Sequence, residues 1–189
     1  MNRILTEAEQ SAIDWDCFTD QQLWGYWAAK ESAFKTVSKL QPNISSSPQK
    51  YNVCFDHHDY LNALSKRSGI VKTPVKDIYF QIVHYQKWIH CIASTHLISD
   101  SAVIHNVHQI DHLFQYHFCH ASKNESKYVR EVAGHKIAEK LFISPETIIF
   151  LKNQGKQPFP EVYIGEHKTN IDISFSHDGR FVSYAFIIN

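Results

Sequence analysis

Residues 18–40, FTDQQLWGYWAAKESAFKTVSKL, read as one long capped helix, and a helix of that length needs a surface built by the rest of the chain. Thr19 suits an N-cap and Gln22 follows three residues on, so T-x-x-Q can close a capping box. Phe18 before the cap and Leu23 inside it are spaced for a hydrophobic staple. Leu23, Trp27 and Phe34 recur at helical spacing and are expected to face the core. Residues 41–50, with two prolines and three consecutive serines, stop the helix.

The partner surface is expected from strands. Residues 51–55, 77–85 and 87–95 carry strand patterns with turn signals between them, and a short helix is expected over residues 5–13. Segment 99–122 reads either as a strand at 102–107 followed by a connecting helix or as one irregular linker. Beyond it, Val129, Ala133, Ile137 and Leu141 trace one face of a second helix ending near Phe142. A strand at 147–151, the turn NQGKQPFP, a strand at 171–175, the bend SHDGR and a strand at 181–188 complete the pattern. The fold class is α+β, in two lobes spanning residues 1–110 and 111–189 that form one functional unit.

Composition removes several classes. With 12 Phe, 9 Tyr and 4 Trp in 189 residues, and 19 basic against 19 acidic side chains, the chain is neither disordered nor a general nucleic-acid binder. Binding of a polyanion must rest on a few local cations. Cys17, Cys54, Cys91 and Cys119 are scattered and form no C-x-x-C pair, so neither a zinc ribbon nor a disulfide framework is suggested. The N-terminal MNRILTEAEQ has no apolar leader pattern and no stretch has the length of a membrane span, so a cytoplasmic, monomeric protein with no membrane partner is expected.

Three places could carry chemistry. Trp27, Glu31 and Lys35 are spaced i, i+4, i+8 and share one helix face. They make either a solvated acid–base pair or a carboxylate for a hard cation with a lysine for a phosphate. In IDISFSHDGRFVSYAF, alternation puts Ile171, Ile173 and Phe175 on one side and Asp172, Ser174 and Ser176 on the other, with His177 at the turn. Ser176, His177 and Arg180 could meet an anion. A hydrolase built on Ser176 and His177 would need a separate acid to orient the imidazole and lacks a nucleophile elbow. The Gly155–Lys156 turn offers a lysine to a phosphate. A run of His105, His108, His112, His117, His120 and Cys119 matches no standard zinc spacing.

The segment WAAKESAFK (27–35) resembles the W-x-x-K-E-x-x-x-K signature of 4′-phosphopantetheinyl transferases. ISFSHDGRFVSYAF is similar to that superfamily's N-I-S-H-S-G-x-x-V strand, GKQP to its Gly-Lys-Pro turn with one residue inserted, and RILTEAEQ to the R-x-L-T-x-x-E segment of the holo-acyl-carrier-protein synthase type. The resemblance implies a fold of two pseudo-symmetric α+β lobes. It also implies transfer of 4′-phosphopantetheine from coenzyme A to a serine of an acyl or peptidyl carrier protein, with Mg²⁺ as cofactor. By match, Glu31 would hold Mg²⁺ against the pyrophosphate, Lys30 and Lys35 would face the phosphates, and Lys156, Ser176 and His177 would recognise the 3′-phosphate end. Glu31 and Lys35 would be the catalytic pair.

The match departs from the family in two respects. The halves stand in the reverse order to that of the large pseudo-dimeric members. The family's metal-binding G-x-D strand has no counterpart before Arg3; Asp14 and Asp16 are the nearby acids, and Asp172 occupies a position where relatives carry His. The alternative function is therefore a non-catalytic or N-terminally truncated homologue that binds coenzyme A or a carrier without efficient turnover. With one carboxylate, Mg²⁺ would be held mostly by water and substrate, so binding of coenzyme A is expected to exceed its turnover. The motif helix and the 174–177 strand end are expected to face one cleft.

Overall fold

The computed structural model describes residues 3–56, 66–85, 87–99, 102–110, 121–154 and 158–188, the side chains of 121–124 excepted. The chain divides into two compact units, Met1–Ser99 and Asp100–Asn189. The expected boundary near residue 110 moves back because the strand at 104–109 pairs with the C-terminal strand and so belongs to the second unit. The architecture is mixed helix and sheet, and every strand pairing among the described residues is antiparallel.

The first unit sets one long helix on a four-stranded meander. Helix α1 (Glu7–Ala12) starts at a Thr6–Glu9 capping box, and α2 (Asp20–Leu40) starts at the Thr19–Gln22 box expected from the sequence. The sheet runs β1 (Asn52–Phe55), β2 (Lys66–Lys72), β3 (Ile78–His84) and β4 (Ile89–Ser94) in that order. Strand β2 was not among the expected elements, since Gly69 interrupts its pattern. A Cβ at Gly69 would run into the Cys54 carbonyl oxygen and stand 2.9 Å from both Phe55 Cα and Phe80 Cε1, so only glycine lets β1 and β2 approach here.

Core packing corrects the reading of α2. Its buried residues are Gly25, Ala29, Lys30, Ala33 and Val37, while Trp27 is 36% exposed. Gly25, Ala29, Ala33 and Val37 lie four residues apart and make a ridge of small side chains that lets the helix lie close on Ile78, Phe80 and Ile82. Each of those three sheet residues is fully buried, worth roughly 1.5–3 kcal/mol apiece. The bulky Trp27 is the residue turned outward. Phe18 packs its ring on Trp15 and Tyr26.

In the second unit, α3 (Ala121–Leu141) covers a three-stranded sheet of order β5 (Ile104–Gln109), β10 (Phe181–Ile188), β9 (Ile171–Asp178). Val129, Ala133 and Ile137 of the helix meet Ile173, Val182, Tyr184 and Phe186 in one core. A smaller sheet of β6 (Ile148–Lys152), β7 (Pro160–Ile164) and β8 (His167–Lys168) joins the same unit. Strand β9 runs through Asp178, which pairs with Phe181, so the hairpin turns at Gly179 and Arg180. Gly179 takes φ +56°, the left-handed conformation such a turn requires. His177 therefore lies within the strand rather than at the bend. No helix of the described residues is long and apolar enough to cross a membrane.

Candidate functional site

The acid–base stripe lies on the solvent side of α2. Lys35 Nζ stands 3.5 Å from Glu31 Oε1, with the two side chains 35% and 44% exposed. Both groups are open to a ligand, and an exposed pair of this kind contributes only about 0.3–0.5 kcal/mol to the helix. Trp27, one turn before Glu31, shares that face.

Lys30 departs from its expected place at the phosphates. Its side chain is 2% exposed, and Nζ donates to Glu9 Oε2 at 2.6 Å, the Ile4 carbonyl at 2.7 Å and the Pro48 carbonyl at 3.2 Å. An ammonium has three donors, and these three acceptors use them. Burial pulls the Lys30 amine below the usual lysine range, against the upward pull of Glu9. Glu9 in turn accepts from the Thr6 and Val53 amides, both at 2.7 Å. The two acidic and basic members of the RILTEAEQ and WAAKE segments thus tie α1, α2 and β1 together, and Lys30 is a structural residue.

In the second unit, alternation along β9 places His177 on the face that α3 covers, with Ile173 and Phe175. Ser176 points to the opposite face. The side chains of Ser176 and His177 therefore do not converge, which removes a hydrolase pair made of these neighbours. His177 Nδ1 stands 3.1 Å from Glu125 Oε2 of α3, and the imidazole is 48% exposed. One turn further along α3, the Arg130 guanidinium lies 5.4 Å from the Phe175 ring centroid and donates to the Ser126 carbonyl at 2.7 Å. Glu125 was not foreseen: it stands ahead of the clear helical pattern, and nothing local in SKNESK marks it as a partner of His177.

Lys156 lies outside the described residues, as do Gly155 and Gln157. On either side of them, the Asn153 backbone amide donates to the Phe159 carbonyl at 3.1 Å, and the Phe159 amide donates to Asn153 Oδ1 at 2.8 Å. Of the histidine run, His112, His117 and His120, with Cys119, lie outside the described residues. His105 and His108 point to opposite faces of β5, which prevents the two from sharing an ion. His108 stacks on Tyr184, and burial pushes its imidazole below the usual range. The Cys91 thiol, half-buried on β4 beside α2, is pushed up to about 12 by desolvation and is no nucleophile at neutral pH.

A divalent cation fits Glu31 as one hard oxygen ligand open to solvent. Among the described residues no group of three or more acidic, His or Cys side chains is placed to hold a metal. Most of the coordination of Mg²⁺ at Glu31 would then come from water and a ligand's phosphate oxygens, the mode common for this ion. No family model matches the sequence, and no curated protein or solved structure matches it significantly.

Proposed function

We propose that the chain transfers 4′-phosphopantetheine from coenzyme A to a serine hydroxyl of an acyl or peptidyl carrier protein in the cytoplasm, with Mg²⁺ as cofactor, and that its two units are the pseudo-symmetric lobes of a 4′-phosphopantetheinyl transferase fold. The observation that supports this reading is the Trp27–Glu31–Lys35 stripe: of the signature's charged residues, Glu31 and Lys35 are open to solvent while Lys30 is spent inside. Mg²⁺ would supply charge neutralisation on the pyrophosphate. Lys35 binds a phosphate oxygen as a point charge. The serine oxygen attacks the β-phosphorus, the bond to the bridging oxygen breaks, and adenosine 3′,5′-bisphosphate leaves with that oxygen. The serine proton passes to a general base or to water. His177 and Lys156 serve the 3′-phosphate. The chain is neutral overall, so these local cations carry the recognition.

A second reading, binding of coenzyme A or a carrier without turnover, is supported by the single carboxylate at Glu31. The test is Glu31→Gln followed by titration calorimetry with coenzyme A, with and without Mg²⁺. The transferase reading expects Mg²⁺-dependent binding to weaken while the melting temperature stays within a degree or two of the parent, on the order of the small loss expected for a surface pair. A variant that melts well below the parent with affinity intact makes Glu31 structural and overturns the metal assignment.

A further inference from the structure

A cross-strand row under the first turns of α3 places His108 of β5, Val182 of β10 and His177 of β9 side by side on one sheet face. Among the described residues, the charged and titratable groups facing this row are Glu125 of α3 at His177, and Tyr128 of α3 and Tyr184 of β10 against His108, with Arg130 of α3 one position along over Phe175. Strand β10 contributes the apolar Val182 to the row. Of these, Glu125 alone is within hydrogen-bond reach of His177, at Nδ1.

An imidazole on an exposed strand end can turn about its Cβ–Cγ bond and offer either nitrogen. A carboxylate on Nδ1 removes that freedom, fixing the ring plane and leaving Nε2 as the atom presented outward. We propose that Glu125 is a positioning residue for His177, holding Nδ1 so that Nε2 meets a phosphate monoester; this rests on the reading above, in which the monoester is the 3′-phosphate of coenzyme A. When Nδ1 donates to Glu125 and Nε2 donates to a phosphate oxygen, both nitrogens carry protons and the ring is a cation. The contact is then a charge-assisted hydrogen bond between an imidazolium and a phosphate, the stronger kind. An anion-binding role uses the geometry as it stands.

The experiment measures affinity of the full chain for coenzyme A and for 3′-dephospho-coenzyme A, in the parent and in Glu125→Gln, Glu125→Asp and Glu125→Ala. Nitrogen spectra of the His177 ring, assigned with a His177→Asn variant, are recorded alongside. A charge-assisted hydrogen bond to phosphate corresponds to a preference of about tenfold or more for coenzyme A in the parent. Glu125→Gln and Glu125→Ala are expected to lose most of that preference, Glu125→Asp to recover part of it, and affinity for the dephospho ligand to stay unchanged, which also reports that the variants are folded. Without ligand, the ring spectra are expected to shift from the Nδ1–H tautomer to a mixture of tautomers in Glu125→Ala. A parent that prefers coenzyme A, with Glu125→Ala indistinguishable from it in preference and ring spectra, overturns the positioning role alone. A parent indifferent to the 3′-phosphate overturns the ligand of this site and the coenzyme A reading together.

Discussion

Replacing Lys30 with Met removes the ammonium at the centre of the first unit while keeping nearly the whole length of its stem, so the change tests charge and hydrogen bonding rather than volume. Three acceptors, at 2.6, 2.7 and 3.2 Å, lose their donor. Glu9, 3% exposed, becomes a buried carboxylate with two backbone amides as its remaining partners. Breaking a buried pair by removing one member costs about 3–5 kcal/mol. The two surviving amide bonds put the expected loss at the lower end, about 3 kcal/mol. Removing both charges, in Lys30→Met with Glu9→Gln, is expected to recover about 1–2 kcal/mol of this, because the stranded carboxylate is gone. All four tryptophans, at positions 15, 24, 27 and 88, lie in the unit Met1–Ser99, so tryptophan fluorescence in urea reports this unit alone. A Lys30→Met variant within about 1 kcal/mol of the parent would refute the structural assignment of Lys30 and return its amine to the candidate ligands.

His84 is buried beneath α2, and burial together with the nearby Arg67 charge pushes its imidazole below the usual range. The unfolded chain takes up that proton near pH 6.5 while the folded chain resists, so stability is full above that value and falls as pH drops toward the lowered one. The unfolding free energy from urea titration should fall between pH 7.5 and 5.5 by no more than about 1.4 kcal/mol per pH unit for one proton, and His84→Leu should flatten the slope. Phe142 ends α3 with φ 56° and a ring 94% exposed, so Phe142→Gly should stabilise the second unit by about 1 kcal/mol, read by circular dichroism on heating. Gly69→Ala should destabilise the first unit by roughly 2–3 kcal/mol or more, because backbone rather than a flexible side chain occupies the space its Cβ needs. An unchanged fluorescence midpoint would show that β1 and β2 can separate at little cost.

What rests on local sequence is legible. The cap at Thr19 depends on a residue three further on, and the strands at β1, β3, β4 and β6 follow from runs of apolar and β-branched side chains. The Thr6 cap and strand β7 were not among the expected elements, and β5 was one of two readings of segment 99–122. What depends on tertiary packing was not legible. Counting large apolar residues on α2 chose Trp27 for the core, whereas the sheet accepts the small ridge of Gly25, Ala29 and Ala33. Lys30 reads as a surface charge until Glu9, Ile4 and Pro48 are folded around it. Strand β2 hides behind Gly69, whose reason is the approach of a neighbouring strand. At the candidate site, the i, i+4 geometry of Glu31 and Lys35 was visible in spacing alone. Glu125 was not, since its partner His177 is reached only when α3 closes on β9.

The proposed activity is tested most directly by incubating the purified chain with coenzyme A, Mg²⁺ and a panel of apo carrier proteins, and following carrier mass by spectrometry. The account predicts that at least one carrier gains the mass of a single 4′-phosphopantetheine with equimolar release of adenosine 3′,5′-bisphosphate, and that Glu31→Gln abolishes the gain. A parent chain that leaves every carrier at its apo mass and shows no calorimetric binding of coenzyme A would contradict it.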